Sequence, residues 1–198
     1  MIESGRSATV ERRTRETDVR ATLTIDGTGL ADVATGVGFF DHLLSALAHH
    51  GLLDLELRVT GDLHVDEHHT VEDAALALGD ALARALGDRA GIVRFGDASV
   101  PMDESLATAV VDVGGRPYAV IDLPFRGERI GTLPAQLVEH ALEGFARTAG
   151  VTLHLRGSGR NDHHLAEAAF KALGRALREA CSADPRREGP ASTKGTLG

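Results

Sequence analysis

His68–Asp73 reads HHTVED and Asn161–Ala168 reads NDHHLAEA, so the spacing HHxxE occurs once in each half of the chain. On a helix, residues three and four apart share a face. Both His68 and His69 are therefore expected to reach Glu72, and both His163 and His164 to reach Glu167. Imidazole with carboxylate suits divalent ions such as Mn, Fe and Zn, and the absence of thiols beside the motifs argues against a Cys-type structural zinc site. His42 and His140, each near the start of an earlier helix in its own half, add one more imidazole apiece. A single HHxxE is more often a solvated helix end. Two at matching places, each preceded by a further helix histidine, indicate two equivalent metal sites. Each site would draw histidine from more than one segment, with closure across a subunit boundary as one solution. The zinc-protease spacing HExxH is absent. His50 ends the His42 helix and could reach the same pocket, His64 and His154 sit in or beside alternating strands and read as structural, and His49 is a weaker candidate.

The elements that must hold these residues recur in the same order. Phe39–Ala48 carries helical apolar spacing, with Asp41 near its start and Gly51 as a stop. Leu53–Thr60 alternates as a strand, and Thr70–Leu86 is an Ala- and Leu-rich helix with Glu72 and Asp73 early and Gly87 at its end. Further on, Pro134–Ala149 predicts a helix, Val151–Arg156 a strand and His163–Ala180 a helix. Thr9–Thr24 suggests two extended segments around Glu16–Asp18, while Leu106–Val113 and Tyr118–Leu123 read as strands flanking a GGRP turn. The pattern predicts an α+β fold built from an internally duplicated unit of small mixed sheet plus two helices. The halves would be 1–95 and 96–181, joined near Arg94–Ser99. Residues 182–198 have almost no apolar side chains and read as a flexible tail, whose Ser, Thr, Lys and Gly also suit a loop closing on an anion.

Composition narrows the function further. The 198 residues are 42% hydrophobic with a formal charge of -8, so a phosphate backbone would meet surplus acid, and nucleic acid is not an expected partner. Cys181 is the only cysteine, which excludes an intrachain disulfide and suits a reducing compartment. With no apolar run of membrane length and no signal-like start, the expected location is the cytoplasm, without a membrane partner.

RTRET at Arg13–Thr17, FFDHLL at Phe39–Leu44, DEHHTVED at Asp66–Asp73, PMDESLA at Pro101–Ala107 and GRPY at Gly115–Tyr118 form an ordered series. It continues with GRNDHHLAEAAFKAL at Gly159–Leu173 and STKG at Ser192–Gly195. Over nearly its whole length the chain resembles the imidazoleglycerol-phosphate dehydratases of histidine biosynthesis. The resemblance implies two four-stranded sheets with helices on one side, similar to the second domain of ribosomal protein S5. It also implies a homo-oligomeric shell of twenty-four subunits with metal sites between subunits. Two manganese ions are implied per active site, with His42, His68, His69, Glu72, His140, His163, His164 and Glu167 as ligands. The chain departs from the family pattern at His64, Glu67 and Gly114, none of which is an expected ligand.

The implied reaction removes water from D-erythro-imidazoleglycerol phosphate to give imidazole acetol phosphate. The hydroxyl beside the ring leaves poorly and the neighbouring C–H is not acidic. Two metals on the ring nitrogens would favour the imidazolate, which expels hydroxide through a diazafulvene-like intermediate. The resemblance points to Glu16 as the acid–base residue, with Glu167 counted beside it as catalytic. Substrate contacts are expected from Glu16, His42, His50 and His68, and phosphate contacts from Arg94, Arg116, Ser192 and Lys194. Asp103 and Glu104 are open to either a structural or a site-supporting role. Two other readings remain at this point: a metal-storage assembly without catalysis, and a two-metal phosphate hydrolase.

Overall fold

The computed structural model describes residues 5–197. The first half runs β1 (Ser7–Arg13), β2 (Thr17–Thr24), β3 (Ala31–Ala34), α1 (Gly38–Gly51), β4 (Asp54–Gly61) and α2 (His68–Leu86). The second runs β5 (Phe95–Met102), β6 (Ser105–Asp112), β7 (Tyr118–Asp122), a small hairpin of β8 (Arg129–Ile130) and β9 (Leu133–Pro134), α3 (Ala135–Ala149), β10 (Thr152–Ser158) and α4 (Asp162–Cys181). The sheet orders are β1-β2-β4-β3 and β5-β6-β10-β7, so the two halves share one topology. In each, two antiparallel pairings are followed by one parallel edge, whose crossover is the histidine-bearing first helix.

Alternation decides which face of each sheet is covered. Val19, Ala21 and Leu23 of β2 and Ala107, Ala109 and Val111 of β6 are buried while their neighbours face outward. Against these faces lie helices with broad apolar stripes, such as Phe40, Leu43, Leu44 and Leu47 in α1 and Leu137, Val138, Ala141 and Leu142 in α3. α2 packs on its own sheet and against α3 of the other half, and α4 on its own sheet and against α1. The four helices thus form a middle layer in which the halves meet.

At both helix contacts a glycine at the same offset brings backbone to backbone. A Cβ on Gly79 of α2 would lie 2.5 Å from the Phe145 carbonyl oxygen of α3, and one on Gly174 of α4 would lie 2.4 Å from that of Leu47 in α1. These glycines set how closely the histidine-bearing helices approach.

Two expectations change. The joint placed near Arg94–Ser99 is strand, because Phe95–Met102 pairs with β6, and the connection lies in 87–94. FGDASVPM lacks clean alternation, yet an edge strand with one partner tolerates its Gly and Pro. Residues 182–191 of the tail are tied to the 87–94 connection by hydrogen bonds. Val93 donates to the Ser182 carbonyl and Asp184 to that of Gly91 (2.9 Å each), and Gly91 donates to Gly189 (2.9 Å). Those backbone bonds need no apolar side chains, so composition carries no trace of them. Among the described residues no helix is long and apolar enough to cross a membrane.

Candidate active site

Two clusters of potential ligands form where the halves meet. His42 of α1 joins His163 and Glu167 of α4, and His140 of α3 joins His68 and Glu72 of α2; in each, one ligand atom per residue lies within 4.8 Å of the others. His42 Nε2 is 3.0 Å and His163 Nε2 3.2 Å from Glu167 Oε2, and His140 Nε2 is 3.4 Å from Glu72 Oε1. Ring centroids are 5.7 Å apart for His42–His163 and 4.8 Å for His68–His140. Each cluster therefore pairs an i,i+4 His–Glu couple from one half with the lone histidine of the other.

Only the first histidine of each HH pair joins its glutamate. Successive side chains on a helix point about 100° apart, and the rings of His68 and His69 and of His163 and His164 stand at 87° and 89°. The expected convergence of His69 on Glu72 and of His164 on Glu167 therefore does not occur within the chain. His69 Nδ1 lies 3.0 Å from Asp62 Oδ2, and His164 Nδ1 lies 2.9 Å from Glu104 Oε2. A carboxylate only accepts, so in both rings Nδ1 carries a proton and Nε2 is the nitrogen left for an ion, that of His164 with Asp103 Oδ2 at 3.8 Å. Those bonds raise the pKa of both imidazoles. Glu104 is in turn held well below the usual carboxylate range by His164 and then by the backbone N–H groups of Arg160 and Asn161, at 3.0 and 2.8 Å.

Helix starts place the first turns. Asn161 caps α4 by accepting from the backbone N–H of His163 (3.0 Å), and Asp66 accepts that of His68 at 2.8 Å. Glu167 is 8% exposed. Burial pushes its pKa up, but hydrogen bonds from His42 and Lys171 overcome this and hold it at about 2. Lys171 Nζ lies 2.7 Å from Glu167 Oε1, while Glu72, in the other cluster, has Arg147 at 3.8 Å. His140 Nε2 is buried without a hydrogen-bond partner. Glu16 sits exposed between β1 and β2, where its charge helps raise the pKa of His69. His50, in the last turn of α1, has its pKa lowered by burial and by the charges of Lys171, His49 and Arg175.

The expected phosphate group lies elsewhere. Arg94, read from the sequence as a phosphate ligand, is bound to Asp112 at 2.7 and 2.9 Å and to the Ala191 carbonyl at 2.6 Å, so within the chain its guanidinium fastens the tail. Arg116 and Lys194 are exposed, and Ser192 Oγ accepts the Lys194 backbone N–H at 3.2 Å. The Arg94 backbone N–H donates to the Ala180 carbonyl. Thirteen residues of α4 separate Ala180 from Glu167, about 20 Å at roughly 1.5 Å per residue. The Arg94 backbone thus lies about 20 Å along α4 from the Glu167 cluster of the same chain. A cleft of about 680 Å³ opens beside His68, but its charged walls are mostly acidic, with Asp66, Glu67, Glu128 and Glu139 against Arg129.

Asp62, Asp73, Asp112 and Lys171 were not singled out from the sequence. Lys171 has a legible signal, four residues after Glu167, whereas Asp62 meets His69 across a turn and Asp73 and Asp112 act through contacts more distant in sequence.

Comparison with known proteins places this arrangement. The imidazoleglycerol-phosphate dehydratase family model matches residues 35–177. The chain is 52% identical over 194 residues to the imidazoleglycerol-phosphate dehydratase of Methylorubrum extorquens, covering 97% of this chain and 100% of that protein. It is 52% identical over 198 residues to that of Gluconacetobacter diazotrophicus, covering 99% and 100%. The crystal structure of the Staphylococcus aureus enzyme superposes with a TM-score of 0.81 at 34% identity, covering 90% of this chain and 99% of that one. For the Pyrococcus furiosus enzyme the values are 0.82, 35%, 95% and 100%. With both ligand clusters inside the matched region, the chain belongs to the imidazoleglycerol-phosphate dehydratase family and is one of its hydro-lyases.

Proposed function

We propose that the chain dehydrates imidazoleglycerol phosphate to imidazole acetol phosphate as a two-metal enzyme, with manganese as the ion and with active sites shared between subunits. The observation that carries this reading is the pair of His–His–Glu clusters built by matching positions of the two halves. Their donors fit a divalent cation: two imidazoles with one carboxylate, a glutamate held ionised in one cluster, and in the other a buried His140 Nε2 that makes no hydrogen bond and faces Glu72 Oε1 at 3.4 Å. His42, His163 and Glu167 would hold one ion, and His68, Glu72 and His140 the other. His69 and His164, with Nδ1 fixed and Nε2 outward, would complete the sites of adjoining subunits, leaving coordination positions for substrate.

A bound divalent pair supplies positive charge that lowers the proton affinity of the substrate ring and favours its imidazolate form. The chain's own groups do the rest. The hydroxyl next to the ring departs as water, taking up the proton the ring has given up, and leaves a diazafulvene-like species in which the neighbouring C–H has become acidic. Glu16 takes that proton, the ring regains aromaticity, and the resulting enol tautomerises as a proton is returned to the ring-side carbon. Glu167 acts by holding an ionised carboxylate against His42 and His163.

Arg116, Lys194 and Ser192 would bind the phosphate of a substrate seated on another subunit's clusters, with Arg94 anchoring the tail that carries two of them. The separation of about 20 Å along α4 between Arg94, which holds the tail, and Glu167 favours a shared site. The exposed Leu106, Val110, Tyr118 and Val120 on the outer face of the second sheet suit burial between copies, and the twenty-four-subunit shell belongs to this reading. The test is turnover of imidazoleglycerol phosphate by metal-stripped protein before and after Mn²⁺ is restored, with phosphate release followed in parallel. Activity only with metal and without free phosphate is expected. Full activity in metal-free protein would overturn the reading, and phosphate release would replace it with hydrolysis.

A further inference from the structure

The duplicated halves differ where a glutamate precedes the second strand of the first hairpin. Glu16 stands before Thr17 in β2, and Glu104 stands before Ser105 in β6. The second-half hairpin is tight, with Met102 paired directly to Ser105, and Glu104 is committed to His164 and two backbone N–H groups. The first-half hairpin is wider, with Arg13 paired to Asp18, and Glu16 is exposed. One backbone hydrogen bond, from the Thr14 N–H to the Thr17 carbonyl at 2.9 Å, closes this turn, and something more ties it to the helices.

That something reaches in from α2. Asp73, one residue beyond the ligand Glu72, is 5% exposed. Arg12 Nε donates to its Oδ1 at 2.8 Å, and Thr17 Oγ1, itself in a buried residue, donates to its Oδ2. The carboxylate can only accept, so the Thr17 proton is spent there, and the Thr14 hydroxyl, 3.1 Å from that of Thr17 and 3.5 Å from Asp73 Oδ2, donates to this pair. Thr14 Oγ1 in turn accepts the backbone N–H groups of Glu16 at 3.1 Å and Thr17 at 3.0 Å. These hydrogen bonds form one connected chain. It runs from the metal-ligand helix to the backbone N–H of Glu16, and the second half, with Ala168 at the position of Asp73, has no counterpart.

We infer that Asp73 and Thr17 are positioning residues that fix Glu16 relative to α2, so that the proton-transferring carboxylate and the ligands Glu72 and His68 are held by one rigid unit. The inference rests on the acid–base role of Glu16 proposed above. A misplacement of about 1 Å in such a group costs on the order of a hundredfold in rate. The test compares kcat, KM and Mn²⁺ content of the assembled enzyme for Thr17→Val, Thr17→Ser and Glu16→Gln, and for Thr17→Val combined with Glu16→Gln. Thr17→Val is nearly isosteric and leaves the Asp73–Arg12 pair intact. It is expected to lower kcat on the order of ten- to a hundredfold, with KM and Mn²⁺ content unchanged, while Thr17→Ser, which keeps the hydroxyl, stays near native. In the Glu16→Gln background Thr17→Val should add nothing further, because the two residues act as one unit. A native kcat in Thr17→Val alone, a loss that multiplies fully with that of Glu16→Gln, or a loss matched by falling Mn²⁺ content would overturn the inference and leave the role of Glu16 standing. A native kcat in Glu16→Gln would instead remove that role, and the inference with it.

Discussion

Replacing Gly174 by Ala should remove one metal ion from each subunit and leave the other. A Cβ at this position would meet the Leu47 carbonyl oxygen at 2.4 Å, whereas real Cβ contacts essentially never fall below 3.0 Å and are ordinary from 3.4 Å. α1 must therefore retreat from α4 by about 0.6 to 1.0 Å, the difference between those values, because the obstacle is backbone rather than a movable side chain. His42 lies five residues from Leu47 on the same helix and moves with it, so its 3.0 Å approach to Glu167 lengthens towards about 4 Å. Metal–ligand distances tolerate only about 0.2 Å. The expected result is overpacking strain of about 1–3 kcal/mol, and loss of affinity at the His42–His163–Glu167 cluster on the order of ten- to a hundredfold, the range seen when a ligand is misoriented. The α2–α3 cluster should keep its ion. Gly79→Ala, whose Cβ would lie 2.5 Å from the Phe145 carbonyl, should do the reverse. Equilibrium titration with Mn²⁺, alongside circular dichroism to verify the fold, reads both. Two ions retained at native affinity in Gly174→Ala, or both ions lost together from a folded protein, would refute the reasoning.

Glu104→Gln should weaken metal binding on the order of ten- to a hundredfold with the fold intact, since His164 loses the anionic acceptor that orients its ring; native affinity in a Mn²⁺ titration would count against that orientation. In metal-free protein the Glu167 carboxyl is held at about 2, well below the ordinary glutamate value of about 4.5, so its stabilising contribution is full above about 4.5 and is lost as pH falls towards 2. The stability gap between native protein and Glu167→Gln, measured by urea unfolding, should narrow over that window, and a gap constant with pH would contradict the assignment. Burial pushes the Cys181 thiol up to about 12, so iodoacetamide should leave it unmodified in the folded protein and modify it once unfolded; rapid labelling of native protein would show that α4 opens locally.

Much of the architecture was legible because the duplication repeats hydrophobic periods as well as polar residues. The helices beginning near His68 and His163 and the alternation of LDLELRVT and VTLHLR follow from local spacing, and the structure has them within two residues of expectation. β3 and β5 were not legible: ADVA spans four residues, and FGDASVPM owes its strand character to pairing with β6. At the site, spacing identified which residues carry ligand chemistry but not how they group. HHxxE suggests one three-residue site per motif, yet the 100° step between neighbours sends His69 to Asp62 and His164 to Glu104. The third member of each cluster comes from the opposite half, a contact that depends on close helix packing at Gly79 and Gly174. Arg94 shows the same limit, since a cation beside a strand end reads alike with or without the half-buried Asp112 and the Ala191 carbonyl that it meets within the chain.

The most direct measurement is an anomalous difference map, at the manganese absorption edge, of crystals grown with Mn²⁺. The account predicts two peaks per chain, one among His42, His163 and Glu167 and one among His68, Glu72 and His140, each also approached by His69 or His164 of a neighbouring subunit. Peaks that leave either cluster empty, or a single ion bound by both histidines of one HH pair, would contradict it.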